Sequence, residues 1–382
     1  MDSFEKEINT TFLKLNIPFV DYGITSSASI SLEGIFRNPK FPNLSQNRNQ
    51  LFRIASMTKP ITAYLALAVL EDNGIDLHAN VGKYVPEIND LEIAYKEGNV
   101  IKYQKNNVPI SFHHLLNFTS GHAYEHHDPI ISELLSKKEI APMKIGDDSF
   151  LQAPLVFAPG SRWGYGISYG WLGKAIEAIS GVGLDENLKK YLCQPLDLEK
   201  TSFNPSQSSK DTLAPVYFRD SDGAYSDIGS KITIGLNQFH YGGGGITSSL
   251  IDYLKFLQFL LKSMKSNVKS SIVAEMFKNQ IGNLGVSSLK SYNQSLVNDY
   301  DIYSNIKKTW GYGLLLNNQK LVTGRSANSG SWVGLLNTYF WVDQRNDLAG
   351  VFLTQVLPCY TPPLLKAFQA FETLSYKYFT KS

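Results

Sequence analysis

Cysteine is scarce in this chain: Cys193 and Cys359 are its only two, far apart and without metal or redox spacing. No disulfide framework can carry the stability, and a reduced, cytoplasmic protein is expected. Charge of one sign is also missing. Thirty-six Lys and Arg against 34 Asp and Glu leave a net charge of +2, too little to point to nucleic acid or an anionic membrane as partner. No apolar run reaches membrane-spanning length, and the opening Met1-Asp2-Ser3-Phe4-Glu5-Lys6 lacks the apolar core of a signal peptide. His113, His114, His122, His126 and His127 cluster, with His122 and His126 four apart. His-Glu-x-x-His is absent, however, and surface loop histidines are expected rather than a metal site. The run Gly242–Gly245 lacks the lysine of a phosphate-binding loop and reads as a tight turn into a helix. Neither a metal nor a cofactor is expected.

What the chain has is apolar mass. Hydrophobic residues make up 43%, with 21 Tyr, 21 Phe and 5 Trp, enough for one large core or two closely joined ones. This composition favours an aromatic-lined cavity. Phe4, Ile8, Phe12 and Leu15 recur at helical spacing near the N-terminus. Residues 23–37 alternate as strands about a turn, and residues 335–357 read as a hairpin bent at Asp343–Asp347. Beyond Pro362-Pro363, the stripe Leu364, Leu365, Phe368, Phe371, Leu374 and Tyr378 predicts a C-terminal helix. Strands thus gather at both ends, while the middle reads as helix and loop. The expected fold is α/β of the α+β kind, an antiparallel sheet flanked by helices. Residues 1–75 and 241–382 build it, 76–240 are inserted as a mostly helical domain, and a catalytic cleft lies between.

The most informative pattern is Ser56-Met57-Thr58-Lys59. A short extended run, Leu51–Ile54, precedes it; Ile61, Leu65, Ala68 and Val69 follow at helical spacing until Asn73-Gly74. Ser-x-x-Lys at a helix start puts hydroxyl and amine on one face. A lysine kept from water there loses its proton readily and can take that of the serine. The same spacing begins at Ser3, Ser266, Ser287 and Ser304, but none of these has the strand-to-helix frame.

Two more signals sit in Arg162–Trp171. Tyr165 is a candidate to approach the nucleophile, as a phenolate sharing a proton with Lys59 or as a hydrogen-bond donor. Gly166-Ile-Ser168-Tyr-Gly170 also fits a nucleophile elbow, but only His240 follows it and no alternating strand–helix pattern surrounds it.

Taken in order, several segments resemble the serine β-lactamase-like superfamily, and within it the family VIII carboxylesterases and lovastatin-type acyltransferases. They are Phe52–Thr62, His114–Gly121, Pro159–Tyr165 with Trp171–Gly173, Gly242–Ser249, Trp310–Gly313 and Thr338–Asp343 leading to Val351–Pro358. The resemblance implies Ser56 as nucleophile, Lys59 and Tyr165 as its proton partners, and an oxyanion hole from the backbone N–H groups of Ser56 and Leu335. Two departures bear on substrate. Ile167 stands where class C β-lactamases carry the Asn of Tyr-x-Asn, and Trp332-Val333-Gly334 where they carry Lys-Thr-Gly; Ser329-Gly330 is an alternative register. Loss of that lysine favours neutral acyl groups, for which Trp163, Tyr169, Trp310, Tyr312, Trp332, Val333 and Gly334 are the expected binding surface.

The expected function is a serine carboxylesterase or acyltransferase acting on a small neutral ester, with water or an alcohol accepting the acyl group. A β-lactamase or D-amino-acid peptidase, and a catalytically silent binding protein, are the alternatives.

Overall fold

The computed structural model describes residues 2–41, 44–47, 50–143, 147–229, 239–265, 272–301 and 303–380. Its centre is a seven-stranded, fully antiparallel sheet drawn from both ends of the chain. The strands are β1 (Phe19–Thr25), β2 (Ile30–Arg37), β3 (Lys308–Trp310), β4 (Leu315–Asn317), β5 (Ser329–Gly334), β6 (Thr338–Asp343) and β7 (Leu348–Leu353), in spatial order β2-β1-β7-β6-β5-β4-β3. The expected hairpin is β6–β7, with Asp343 opposite Leu348; Leu335–Asn337 form the preceding turn instead of strand. Val356–Leu357 leave the sheet and pair in parallel with Tyr217–Phe218.

Side-chain alternation on β6 sorts the two faces. Tyr339 stacks on Phe368 and Trp341 meets Phe371, both on the C-terminal helix, whereas Phe340 between them points the other way onto Tyr253. One face is therefore covered by α1 (Asp2–Lys14) and α5 (Pro362–Phe379), whose stripes include the fully buried Phe4, Ile8, Phe12 and Phe371. The other face takes α4 (Leu250–Lys265), with Leu254 seated over Gly23 of β1. Each such buried side chain stabilises the layers by about 1.5–3 kcal/mol.

The helix following Ser56 is α2 (Thr58–Asp72), ended by Asn73 and by Gly74 at φ +61°. Pro60 sits in its first turn, where a backbone N–H has no intrahelical partner to lose. Against α2 packs α3 (Ser168–Ser180).

The middle of the chain departs from the helix-and-loop expectation. Ile93–Glu97 and Val100–Gln104 form a hairpin, and Tyr217–Arg219 pairs with Tyr225–Asp227. Charged, exposed residues such as Glu97 and Lys102 blur the apolar alternation by which a strand is recognised. One contiguous apolar cluster nevertheless runs from Phe4 through Leu172 to Tyr376. Among the described residues, no helix is long and apolar enough to cross a membrane.

Candidate active site

Ser56 stands at a junction held from three sides. The two-residue strand Phe52–Arg53 pairs with Thr247–Ser248, and Ile54 N–H donates to the Ile246 carbonyl at 3.2 Å. Ala55 then takes φ +44°, a left-handed conformation costly for a residue with a Cβ, and the chain turns through the 3₁₀ segment Ala55–Met57 into α2. From the sheet side, β5 ends at Gly334, where any Cβ would collide with the Ile54 carbonyl and the Thr338 hydroxyl. Glycine thus lets the edge of the sheet close onto the serine turn.

The Ser56 hydroxyl lies between two groups. Lys59 Nζ is 2.9 Å from Ser56 Oγ, and Tyr165 Oη donates to that same oxygen at 2.8 Å. Lys59 is fully buried and also contacts the Gly243 carbonyl at 2.6 Å and Tyr124 Oη at 3.1 Å. Burial alone drives its pKa well below the ordinary 10.5, which favours the neutral amine. A neutral amine has two N–H donors and one lone pair. Gly243 and Tyr124 take the donors, which leaves the lone pair for the Ser56 proton. Tyr124 in turn meets Tyr241 Oη at 2.5 Å.

Tyr165 is the partner of a different kind. Burial pushes its phenol pKa upward, so the phenolate alternative is disfavoured and the hydrogen-bond-donor alternative fits. Trp332 Nε1–H donates to Tyr165 Oη at 3.2 Å, orienting the phenol O–H toward Ser56.

Ser56 opens onto a cavity of about 260 Å³. Val333, Leu335, Leu296, Val297 and Tyr360 make an apolar wall, while Glu125, His126 and His127 form a polar one. Gly334, Tyr124, Tyr241 and Gly243 also line it. The glycine run therefore does more than turn the chain, since its carbonyl holds the lysine.

The geometry corrects several expectations. Trp163, Tyr169, Trp310 and Tyr312 do not line the cavity. They are buried behind Tyr165 and around Phe118, with Tyr169 Oη donating to the Leu116 carbonyl and Tyr312 Oη joined to His113 Nδ1. Their faces are consumed by edge-to-face packing and offer no area to a ligand. Trp332 is likewise absent from the lining, and its indole serves Tyr165 instead. Val333, Gly334 and Leu335 do reach the cavity, whereas Ser329-Gly330 sits at the far end of β5 with Gly330 against Phe277.

Ser168 is fully buried, opens α3 and donates to the Leu115 carbonyl at 3.0 Å, while His240 stacks on Phe203; the elbow does not form. The histidines are spread out. His113 binds Asn117 and Tyr312, and the buried His122 binds Ser120; among the described residues, no three His, Cys, Asp or Glu side chains converge as a metal site would need. Of the other Ser-x-x-Lys matches, Ser3, Ser287 and Ser304 are exposed, and Ser266 lies outside the described residues.

Tyr124 and the Gly243 carbonyl are site residues that sequence reasoning missed. The only signal for Tyr124 was its place three residues beyond the His114–Gly121 segment.

A sheet flanked by helices, with a Ser-x-x-Lys turn closed by a strand from the far end of the chain, is the architecture of the serine β-lactamase-like proteins. The Beta-lactamase family profile matches residues 42–371, and the chain belongs to that family. Among curated relatives, the ML-236A carboxylate methylbutanoyltransferase of Penicillium citrinum is 30% identical over 237 residues, 59% of this chain and 55% of that protein. The chain spans about half the length of such acyltransferase relatives. The lovastatin esterase of Penicillium rubens is 26% identical over 82% of each chain. Among solved structures, the simvastatin synthase of Aspergillus terreus superposes with a TM-score of 0.82 at 20% identity, covering 100% of this chain and 99% of the other. That likeness concerns the fold.

Proposed function

We propose that the protein is a serine esterase or acyltransferase working through an acyl-enzyme on Ser56. The observation that carries this reading is the placement of the Ser56 hydroxyl between a neutral Lys59 and the phenol of Tyr165, at 2.9 and 2.8 Å. Lys59 takes the Ser56 proton as Oγ attacks the substrate carbonyl carbon, then delivers it to the departing alkoxide. Tyr165 keeps its proton and donates a hydrogen bond, first to Oγ and then to the leaving oxygen. The backbone N–H groups of Ser56 and Leu335, both at the cavity, are the proposed oxyanion donors, each worth about 3 kcal/mol of barrier. Curated relatives named as acyltransferases and an esterase support the same chemistry.

Neutral esters are the proposed substrates. Tyr165 is met by an indole rather than an ammonium, so a carboxylate-bearing lactam finds no cationic lysine from β5. Residues 1–75 and 241–382 are taken as the sheet domain and 76–240 as the inserted one. Free, buried Cys193 and Cys359 support a cytoplasmic location.

The test is covalent labelling with a fluorophosphonate, followed by kcat/KM for p-nitrophenyl butyrate and nitrocefin on one preparation. Labelling should vanish in Ser56→Ala, and ester turnover should exceed nitrocefin turnover by at least about tenfold. Labelling that survives Ser56→Ala would refute the nucleophile, and faster nitrocefin turnover would move the assignment to a lactamase.

A further inference from the structure

The cavity has two chemically different walls, and a two-substrate acyl transfer needs two. The apolar wall of Val333, Leu335, Leu296 and Val297 suits an acyl chain. The polar part of the lining, Glu125–His127, is not accounted for by acylation.

That wall is built rather than incidental. The amides of His127 and Asp128 both donate to the Tyr124 carbonyl at 3.0 Å, closing a tight turn directly after Tyr124. Asp128 then caps the helix Pro129–Ser136 by accepting from Ile130 and Ile131 N–H. Tyr292 N–H donates to the His126 carbonyl at 3.0 Å, tying the turn to the segment that supplies Leu296 and Val297. The turn is therefore held on both sides, and the His126 ring stacks on Tyr124 with centroids 4.9 Å apart.

Within this frame the tautomer of His127 is determined. Its Nδ1 lies 2.9 Å from the Lys290 carbonyl, which can only accept, so Nδ1 carries the proton. Desolvation lowers its pKa to about 3, which keeps the ring neutral. A neutral ring protonated at Nδ1 presents a lone pair at Nε2, and His127 lines the cavity with its ring 6.0 Å from that of Tyr165. Beside it, burial opposes the Glu125 charge, but contact with His126, whose Nδ1 lies 3.5 Å from Oε1, and its own backbone lower its pKa below the usual range. Asp299 and Lys290 are the other charged groups near His127, and they pair with each other at 2.7 Å.

We infer that Glu125–His127 is the acyl-acceptor subsite, that His127 Nε2 accepts a hydrogen bond from the incoming hydroxyl, and that the acceptor is an alcohol carrying no carboxylate. The inference rests on the Ser56 acyl-enzyme reading. In the transfer step the alcohol oxygen forms a bond to the acyl carbon while the Ser56 ester C–O bond breaks. As attack begins, the alcohol O–H turns from His127 Nε2 to Lys59 Nζ, which takes the proton and passes it to Ser56 Oγ, restoring the free enzyme. His127 docks the hydroxyl before attack and takes no proton, so it is a positioning residue. The Glu125 carboxylate repels an anionic acceptor from the same wall.

The experiment loads the full-length enzyme with p-nitrophenyl butyrate and offers 1-butanol, 4-amino-1-butanol or 4-hydroxybutyrate. The readout is the ratio of new butyrate ester to butyric acid. This partition does not depend on how fast the enzyme is acylated, and a merely structural defect would lower both products together. In wild type the two acceptors without a carboxylate should give ratios at least about tenfold above 4-hydroxybutyrate. His127→Leu should lower the butanol ratio at least about tenfold, and His127→Gln, which keeps an acceptor oxygen, should recover part of it. Glu125→Gln should raise the 4-hydroxybutyrate ratio. An unchanged ratio in His127→Leu, equal use of 4-hydroxybutyrate by wild type, or butyric acid alone from every acceptor would each overturn the subsite. Fluorophosphonate labelling or ester turnover that persists in Ser56→Ala would instead overturn the acyl-enzyme reading beneath it.

Discussion

Replacing Lys59 with methionine tests the electrostatics of the site through folding rather than through activity. Methionine has similar length and no charge. In the unfolded chain Lys59 binds a proton at any pH below about 10.5; in the folded protein, where burial lowers its pKa well below that value, it does not. The unfolded state therefore holds one more proton, and wild-type stability must rise with pH through this window. The slope is about 1.4 kcal/mol per pH unit, from the folded pKa of Lys59 up to its unfolded one. Below the folded pKa the contribution is flat, because both states are then protonated.

Lys59→Met removes this dependence together with the contacts to Ser56, Tyr124 and Gly243. The lost hydrogen bonds shift the variant by an amount that does not change with pH, so they cancel when two pH values are compared. Urea unfolding of both proteins at pH about 8 and about 9.5 should show the wild type gaining about 2 kcal/mol on the variant. All other titrating groups are shared and drop out of the difference. A wild-type-minus-variant difference that stays constant between the two pH values would mean a charged Lys59 in the folded protein. The proposed base would then be gone.

Trp332→Phe should lower kcat for p-nitrophenyl butyrate about five- to tenfold with KM little changed, because it deletes one hydrogen bond to Tyr165 and no cavity surface; a KM effect alone would return Trp332 to substrate binding. Tyr124→Phe leaves a buried Lys59 N–H without its acceptor and should cost about 1–3 kcal/mol in urea unfolding, and no loss would show that the amine has another partner. Phe371→Ala opens a hole between α1, α5 and the sheet, where the ring meets Phe4, Tyr22, Trp341 and Phe352; unfolding should show a loss of about 3–5 kcal/mol.

Local periodicity made much of the scaffold legible. The Phe4–Ile8–Phe12 stripe, the helix after Ser56 ending at Asn73-Gly74, the β6–β7 hairpin and the C-terminal helix each lie near where their apolar spacing predicts. These elements bury one face against the core, and a side-chain period of about 3.6 or 2 records that in the chain itself. Ser56 and Lys59 come together for the same local reason, since one turn of backbone spans their separation.

Contacts between distant segments carry no such period, and here only the tertiary structure decided. Tyr165 reaches Ser56 from 109 residues away, Tyr124 reaches Lys59 from 65, and the Gly243 carbonyl reaches it from 184. The aromatics around Tyr165 show the limit most clearly. Composition says that Trp163, Tyr169, Trp310 and Trp332 are apolar and large, but whether such a ring faces a cavity or the back of the Tyr165 phenol depends on what packs against it. Phe118 and the other rings of the cluster fill that space, so burial of the aromatic faces against one another outcompetes their exposure to a substrate. The hydroxyl–amine pair was determined by sequence; the environment that lowers the amine pKa, makes the phenol a donor and gives the cavity both apolar and polar lining was determined by the fold, because desolvation is a property of surroundings and not of residues.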